Sequence, residues 1–407
     1  MKLAKSTSVF SCSVPFAIVM ATLILTPVND ANAQTKTPEK NGKSNGRTSQ
    51  QEPTQRFLRF DKNNDGKLTR DELPQPLQRN FNRVDTNGDG FISPAEDAKI
   101  GNRTATDDRL KGISVDRDIN YAEDNNPRHT LDVYRASDAK QGDKKLPVIV
   151  FIHGGGWQKG NKNSGANVLA PIVRTKKYVG VSIGYRLTDE AIWPAQIHDC
   201  KAAIRWIKAN ADQFGIDPEK IGVWGTSAGG HLVLMVGMTG DADEILEGAV
   251  GKHLDQSSRV NCVVNWFGPT DLLSMNDVPG TIDHDAPNSP ESKLIGKPIQ
   301  EAKALTRKAS PIHYASKDDP PILTMHGDQD RLVPIGQAIK LDEALDQLKL
   351  ESTFIKIKNA GHGRFQNDDV QKRVMQFFQR HLIDPKTPPV SEDTIQSGKP
   401  PASRSRK

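Results

Sequence analysis

A chain of 407 residues exceeds the usual size of one domain and leaves room for a catalytic unit with attachments. With 26% charged and 35% hydrophobic residues, 32 Gly and 26 Pro, it reads as a globular core diluted by polar segments, which excludes a collagen-like repeat, a coiled coil or an integral membrane protein. The net charge of +5 is spread along the chain, and the one basic cluster is the C-terminal Arg404-Ser405-Arg406-Lys407, so no nucleic-acid partner is expected.

At the N-terminus, Lys2 and Lys5 precede an apolar stretch from Phe16 to Leu25, and Ala31-Asn32-Ala33 then offers small residues where a signal peptidase cuts. Residues 1–33 are therefore predicted to be a signal peptide, and the mature chain is expected in the periplasm or outside the cell. The apolar stretch is too short for the ~20 residues of a bilayer span, so no stable membrane insertion is expected. An oxidising compartment would allow Cys200 and Cys262 to pair; their helical and strand surroundings suit buried thiols equally well. Residues 34–53 contain no aliphatic side chain and are predicted to be a disordered linker.

Residues 54–100 form the next unit. Two stretches, Asp61 to Glu72 and Asp85 to Glu96, resemble the calcium-binding loop of the EF-hand. Oxygen-bearing side chains stand at loop positions one, three, five and twelve: Asp61, Asn63, Asp65 and Glu72, then Asp85, Asn87, Asp89 and Glu96. Gly66 and Gly90 occupy position six, where the chain turns sharply, and the backbone carbonyls of Lys67 and Phe91 would serve at position seven. A hard dication needs six or more oxygens at flexible distances, which this set supplies, so Ca2+ is the expected ion, in a role apart from catalysis. Leu68 and Ile92 are expected to pair the two loops. Only Leu73 to Val84 separates them, so the pair is abbreviated and a structural role is favoured over the opening of a target groove; dockerin-like modules fit the spacing less well.

A polar join is expected over 101–118, followed by a catalytic domain over 119–384 and a disordered tail over 385–407. Within the long region, apolar runs at Leu146 to Ile152 and Tyr178 to Ile183 read as strands buried on both faces. Further strands are predicted at Ile221 to Trp224, Val260 to Trp266, Ile322 to Met325 and Thr353 to Ile357, with helical periods between them such as Ala195 to Phe214. Strand and helix alternating at this length predict an α/β fold with a mostly parallel sheet.

Gly225-Thr226-Ser227-Ala228-Gly229 lies between a predicted strand and a predicted helix, the setting of a nucleophile elbow, with Ser227 at the bend. His153-Gly154-Gly155-Gly156-Trp157 directly follows another strand. Its glycines leave backbone N–H groups free to face a developing oxyanion, so Gly154, Gly155 and Ala228 are the candidate donors. Asp328 and Asp330, in the loop after the strand ending at Met325, compete for the role of the carboxylate that orients a histidine. His362, between Gly361 and Gly363 after another strand, is the candidate general base. His153 and His326 in glycine turns, His231 on the helix after Ser227, and His381 near the chain end are expected to be structural.

The order nucleophile, acid, histidine is that of the α/β-hydrolase fold. From about Asp132 to Leu382 the chain resembles the esterase/lipase branch related to hormone-sensitive lipase. Within that branch it resembles bacterial acetylxylan/feruloyl-type carbohydrate esterases, through His153–Trp157, Tyr185-Arg186-Leu187, Trp193-Pro194-Ala195, Gly225–His231 and Trp266–Asp271. Hydrolase loops ending in Asp-x-x-Val-Pro assign the acid role to Asp330 and leave Asp328 as a turn former.

The resemblance implies an α/β-hydrolase domain behind a small helical EF-hand module, and a secreted serine esterase acting on a small-molecule or polysaccharide ester. Asp271 to Ser316 is expected to cover the Ser227 pocket, and Trp157, Trp193, Tyr185 and Trp266 either line it or pack in the core. An amide hydrolase of formamidase or prolyl-oligopeptidase type is one alternative. A catalytically inactive, calcium-dependent binding protein is another. No protein partner is indicated by the sequence.

Overall fold

The computed structural model describes residues 55–73, 78, 81–97, 108–140, 144–240, 244–278, 280–363, 365 and 367–397. The expected signal peptide and linker, and the C-terminal basic cluster, lie outside the described residues.

The N-terminal module begins with the short helix Gln55–Phe60, and a second helix, Phe81–Val84, leads into the second loop. Leu68 and Ile92 form an antiparallel bridge with reciprocal N–H···O bonds of 3.0 and 2.9 Å, the pairing their positions predict. Both side chains are buried, with Phe57, Leu73 and Phe81, in a small core separate from the other two in the chain.

Nine strands form one sheet in the order β1-β2-β4-β3-β5-β6-β7-β8-β9. They are β1 (Ile113–Asn120), β2 (Thr130–Ala136), β3 (Leu146–Ile152), β4 (Val179–Ile183), β5 (Ile216–Thr226), β6 (Cys262–Trp266), β7 (Ile322–Gly327), β8 (Ser352–Lys358) and β9 (Ile395–Gln396). The β1/β2 and β2/β4 pairs are antiparallel and every other pair is parallel. Continuous apolar sequence in β3, β4 and β6 follows from this arrangement, because helices cover both faces.

Among the described residues five longer helices flank the sheet, α1 (Ala166–Val173), α2 (Ala195–Ala209), α3 (Ala228–Thr239), α6 (Gly336–Leu348) and α7 (Asp368–Leu382), while two short ones, α4 (Pro290–Ile295) and α5 (Lys303–Lys308), lie in the segment between β6 and β7. Residues of α2, α3 and α6 enter one hydrophobic core and those of α1 and α7 enter the other. In α7, Val370, Val374, Phe377, Phe378 and Leu382 recur at helical spacing and are all buried, while Asp368 and Asp369 occupy the first turn and Arg380 and His381 the last. That charge placement suits the helix dipole. Cys200 and Cys262 belong to opposite cores and are both free, buried thiols.

Two expected boundaries are corrected. The join at 101–118 is shorter than expected: Asp108–Leu110 forms a 3-10 turn and β1 begins at Ile113. In this edge strand the consecutive charged residues Asp116-Arg117-Asp118 interrupt the apolar alternation begun by Ile113 and Val115, and the register shifts between Asp116 and Ile119. The expected tail from 385 is part of the fold to 397. Val390 and Ile395 are buried, and β9 pairs with β8. Arg373 donates to the carbonyls of Ser391 and Asp393, and Arg380 to those of Pro385 and Thr387. Polar sequence is held here by side-chain bonds from α7, and such bonds leave no periodic signature.

Candidate active site

The central strand β5 runs into Ser227, which adopts φ +56°, ψ −124°, and α3 starts at the next residue. A non-glycine residue at positive φ is strained, so the surroundings must impose it. The Ser227 amide donates to the Trp266 carbonyl at 2.9 Å, and the His231 amide donates to the Ser227 carbonyl at 3.0 Å. The bend is also tight: a Cβ on Gly229 would lie 2.1 Å from the Ile152 carbonyl oxygen. Glycine at the end of the pentapeptide is thus a packing requirement.

Three stretches distant in sequence meet at this bend. Nε2 of His362 lies 3.1 Å from Oγ of Ser227, and Nδ1 of His362 lies 2.7 Å from Oδ2 of Asp330. Since a carboxylate only accepts, Nδ1 carries the hydrogen and Nε2 is left to accept from the serine hydroxyl. Oδ1 of Asp330 accepts from the amides of Leu332 and Val333 at 2.9 and 3.0 Å. Burial acts to raise the Asp330 pKa, but hydrogen bonds from His326, His362 and the Val333 amide outweigh it and hold the carboxyl well below the usual carboxylate range. Asp328 stands apart: its Oδ1 accepts from the Asn359 amide at 2.7 Å, a turn-forming contact. The Phe267 ring packs edge-on against His362, 4.6 Å between centroids.

The loop after β3 lies beside the nucleophile. A Cβ on Gly154 would come within 3.2 Å of the Ser227 Cβ, and Gly155 has φ +126°, with a Cβ there falling 2.0 Å from the Lys159 carbonyl oxygen. The loop is closed by the Gln158 and Lys159 amides, both 3.2 Å from the Gly155 carbonyl. His153 braces it from below. Its Nδ1 donates to the Gly154 carbonyl at 2.8 Å, its ring stacks on Tyr185 at 4.3 Å, and the Tyr185 hydroxyl donates to the His153 carbonyl. Burial above all, with the nearby Arg128, lowers the His153 pKa to about 4 despite the Gly154 bond. His231 is likewise lowered to about 4 by burial; it donates to the Ala309 carbonyl at 2.7 Å and accepts from the Trp157 indole at 3.3 Å. Both imidazoles are neutral supports.

A cavity of about 1140 Å³ opens over Ser227, Gly154, Gly155, Ala228 and His362. Residues Ile282, His284, Pro290 and Glu291 contribute to its wall, so the segment expected as a cover does border the pocket, although it contains α4 and α5 where the sequence showed weak periodicity. Of the four aromatic candidates, Trp157 and Trp266 reach the cavity wall; Tyr185 and Trp193 are not among its lining residues and are buried against His153 and His231. Sequence reasoning missed Phe267 and the pair His284 and Glu291. His326 was read only as a turn residue, although its Nε2 lies 3.3 Å from Oδ2 of Asp330. Its position four residues before that aspartate was the available signal.

The two N-terminal loops are wound as their residue types require. Oδ2 of Asp61 accepts from the Gly66 amide and Oδ2 of Asp85 from the Gly90 amide, both at 3.0 Å, and both glycines have positive φ. Asp65 and Asp89 accept from the amides of Lys67 and Phe91. Glu72 turns to the amide and hydroxyl of Thr69, and Glu96 bridges Thr86, Asn87 and Ser93. Burial acts to raise the Glu96 pKa, yet hydrogen bonds from Ser93 and Thr86 bring it down to about 2. Among the described residues no group of three or more His, Cys, Asp or Glu is gathered into a cage. The donor set of Asp61, Asn63, Asp65 and Glu72, repeated at Asp85, Asn87, Asp89 and Glu96, fits an oxygen-seeking dication in residue type and loop winding.

Comparison with known proteins places this geometry. The BD-FAE family model matches residues 131–345, and the EF hand model matches residues 55–75 and 77–96. Esterase LipC of Mycobacterium tuberculosis is 31% identical over 254 residues, covering 61% of this chain and 59% of its own length. The probable carboxylic ester hydrolase LipM of the same organism is 31% identical over 234 residues, with coverage of 57% and 52%. The chain thus spans less than two thirds of the length of these curated relatives. Among solved structures, a truncated carbohydrate esterase from gut microbiota is 35% identical with a TM-score of 0.60, covering 66% of this chain and 96% of that one. A thermophilic esterase from Thermogutta terrifontis is 25% identical with a TM-score of 0.53, covering 68% and 96%.

Proposed function

The chain belongs to the BD-FAE family, and from that premise we propose that it is a serine carboxylic-ester hydrolase that deacylates short-chain or carbohydrate esters through Ser227, His362 and Asp330. The observation that carries this reading is the unbroken series Asp330, His362, Ser227, with contacts of 2.7 and 3.1 Å at the floor of a substrate-sized cavity.

The chemistry follows from the proton positions. Nε2 of His362 takes the Ser227 proton as Oγ attacks the ester carbonyl, and Asp330 stays ionised beside the imidazolium that results. The amides of Gly154, Gly155 and Ala228 are the donors for the oxyanion. His362 then protonates the departing alcohol. The acyl group left on Ser227 is released by water, activated by the same imidazole. A cavity of about 1140 Å³ is far larger than an acetyl group requires, which supports a bulky partner on one side of the ester bond.

In the N-terminal module Ca2+ would be held by Asp61, Asn63, Asp65, Glu72 and the Lys67 carbonyl, and by Asp85, Asn87, Asp89, Glu96 and the Phe91 carbonyl. Its contribution is charge neutralisation within those loops. Residues 1–33 support an exported protein, periplasmic or extracellular, on their sequence pattern alone.

The test is a substrate profile: p-nitrophenyl acetate and butyrate, acetylated xylan and methyl ferulate, with arylformamide and prolyl-peptide substrates beside them and Ser227→Ala as the blank. Ester turnover that disappears in the variant is expected. Turnover restricted to the amides would replace the reading with amide hydrolysis, and equal signals from both proteins would remove catalysis altogether.

A further inference from the structure

Beyond Ser227 the cavity continues between two helices. Helix α1 contributes Val168, Pro171 and Ile172 to its wall and α7 contributes Met375, while Phe151 of β3 and Trp224 of β5 stand behind them. Both helices enter the same core but make little contact with each other, which leaves a slot along their seam. Phe151, Ile172 and Trp224 are buried, Val168 and Met375 are half-buried, and Pro171 is exposed. Apolar surface left open beside a nucleophile is what a hydrocarbon ligand covers, because removing it from water is favourable in proportion to its area.

The slot has a head and a foot. Edge-on aromatic contacts run from Phe151 to Trp224 and from Trp224 to Trp266, 6.4 and 4.9 Å between centroids, and Trp266 packs on Phe365 at 5.2 Å. Phe365 in turn meets Phe267, the ring that packs on His362. The back of the slot is thus continuous with the packing around the general base. At the foot Lys177, just past α1, donates to Gln379 of α7 at 3.3 Å. At helical rise the wall from Val168 to Thr175 is on the order of 10 Å long, and only at the outer rim, at Thr175 and Gln371, is it polar and exposed. An acetyl group would leave most of that length empty. A phenolic ring would bring its hydroxyl against Val168, Ile172 and Met375, side chains with no hydrogen-bond donor to offer. An unbranched alkyl chain suits both the length and the lining.

We propose that the seam between α1 and α7 is an alkyl-binding arm of the substrate site, taking an unbranched chain on the scale of an octyl group from one side of the ester bond. The inference rests on the ester-hydrolase reading and narrows it: the preferred ester carries an alkyl chain, either as its acyl group or as its alcohol. Each methylene taken out of water favours the longer chain by up to about fourfold, so a partly open slot should raise kcat/KM by roughly ten- to a hundredfold over a two-carbon counterpart.

Two matched substrate pairs read this out in the wild-type protein, all below micellar concentration. For the acyl side p-nitrophenyl octanoate is compared with p-nitrophenyl acetate, and for the alcohol side octyl acetate with ethyl acetate. A kcat/KM ratio of about ten or more in one pair supports the proposal and identifies which side of the ester enters the slot. Smaller ratios in both pairs, with all esters turned over, overturn the proposal and leave the hydrolase reading intact. Turnover of no ester overturns both. The single variants Met375→Glu and Pro171→Glu each set a carboxylate against the chain, and the raised ratio should collapse towards one. Pro171 is exposed, so its replacement decides the matter should Met375→Glu fail to fold. An undiminished ratio in Pro171→Glu would place the alkyl chain elsewhere and sink the proposal.

Discussion

The ion loops and the triad represent opposite ways of placing carboxylates. In the loops the partners are close in sequence: Asp61 bonds to amides four and five residues on, and Asp85 to amides three to five residues on. Asn63, Asp65, Asn87 and Asp89 are exposed while Asp61 and Glu96 are buried, and each loop's turn is set by bonds within its own twelve residues. The triad joins residues 135 and 32 positions apart, and its carboxylate is fully buried. A local motif brings like charges together, whose repulsion a bound cation would offset, whereas a motif assembled by a sheet is set before any ligand arrives. The first is sensitive to solution conditions and the second to single atoms.

That contrast can be broken from either side. The largest effect is expected from Asp330→Asn, which keeps the shape but presents the wrong hydrogen to His362: kcat on p-nitrophenyl acetate should drop by roughly 10³- to 10⁴-fold, and a drop of less than tenfold would mean that Asp330 is not the orienting acid. Next comes Gly155→Ala. At φ +126° and with the Lys159 carbonyl in the way, the new methyl must displace the oxyanion loop, and a loss of about 10²- to 10³-fold in kcat is expected, visible in steady-state kinetics.

Acid should act on the buried histidines. His153 and His231 are neutral in the fold with pKa values near 4, while unfolded histidine titrates near 6.5. The stability each contributes is present above pH ~6.5 and is lost as pH falls towards 4, about 2 kcal/mol apiece at pH 4.5. His129 and His284 have raised pKa values, so their contribution is present below pH ~6.5 and lost as pH rises through the folded value. Urea unfolding across pH 4–7 separates the terms: His231→Gln should flatten the acid-side slope, and an unaltered slope would refute the assignment. The smallest effect is expected at the loops. Glu96→Gln should weaken calcium binding by at least tenfold, about 1.4 kcal/mol, in isothermal titration, and chelator should lower the melting transition of the N-terminal module by a few degrees.

Legibility followed the range of the interactions. The ion loops are written in consecutive residues, and the triad could be read because each member sits at a glycine-marked turn after a buried strand. Leu146 to Ile152 and Ile322 to Met325 stood out since both faces of those strands are covered. Edge strand β1 did not, because the charged run Asp116-Arg117-Asp118 and a register shift interrupt it. The stretch from 385 to 397 is polar and acquires order from Arg373 and Arg380 on a different element. His284 and Glu291 are seven residues apart with no motif between them, and only the path of the cover segment brings them together.

The two ends of the sheet carry a consequence for how the molecule behaves in a crowded solution. At one end the outermost strand is kinked, with Asp118 at φ +55°; at the other a two-residue strand caps its neighbour through Ile357 and Ile395. Neither rim offers a long, straight row of vacant amides on which a second molecule's strand could dock. Concentrated preparations should therefore resist the rim-to-rim stacking that seeds fibrils, and deleting the residues after Asp384 should make them prone to it.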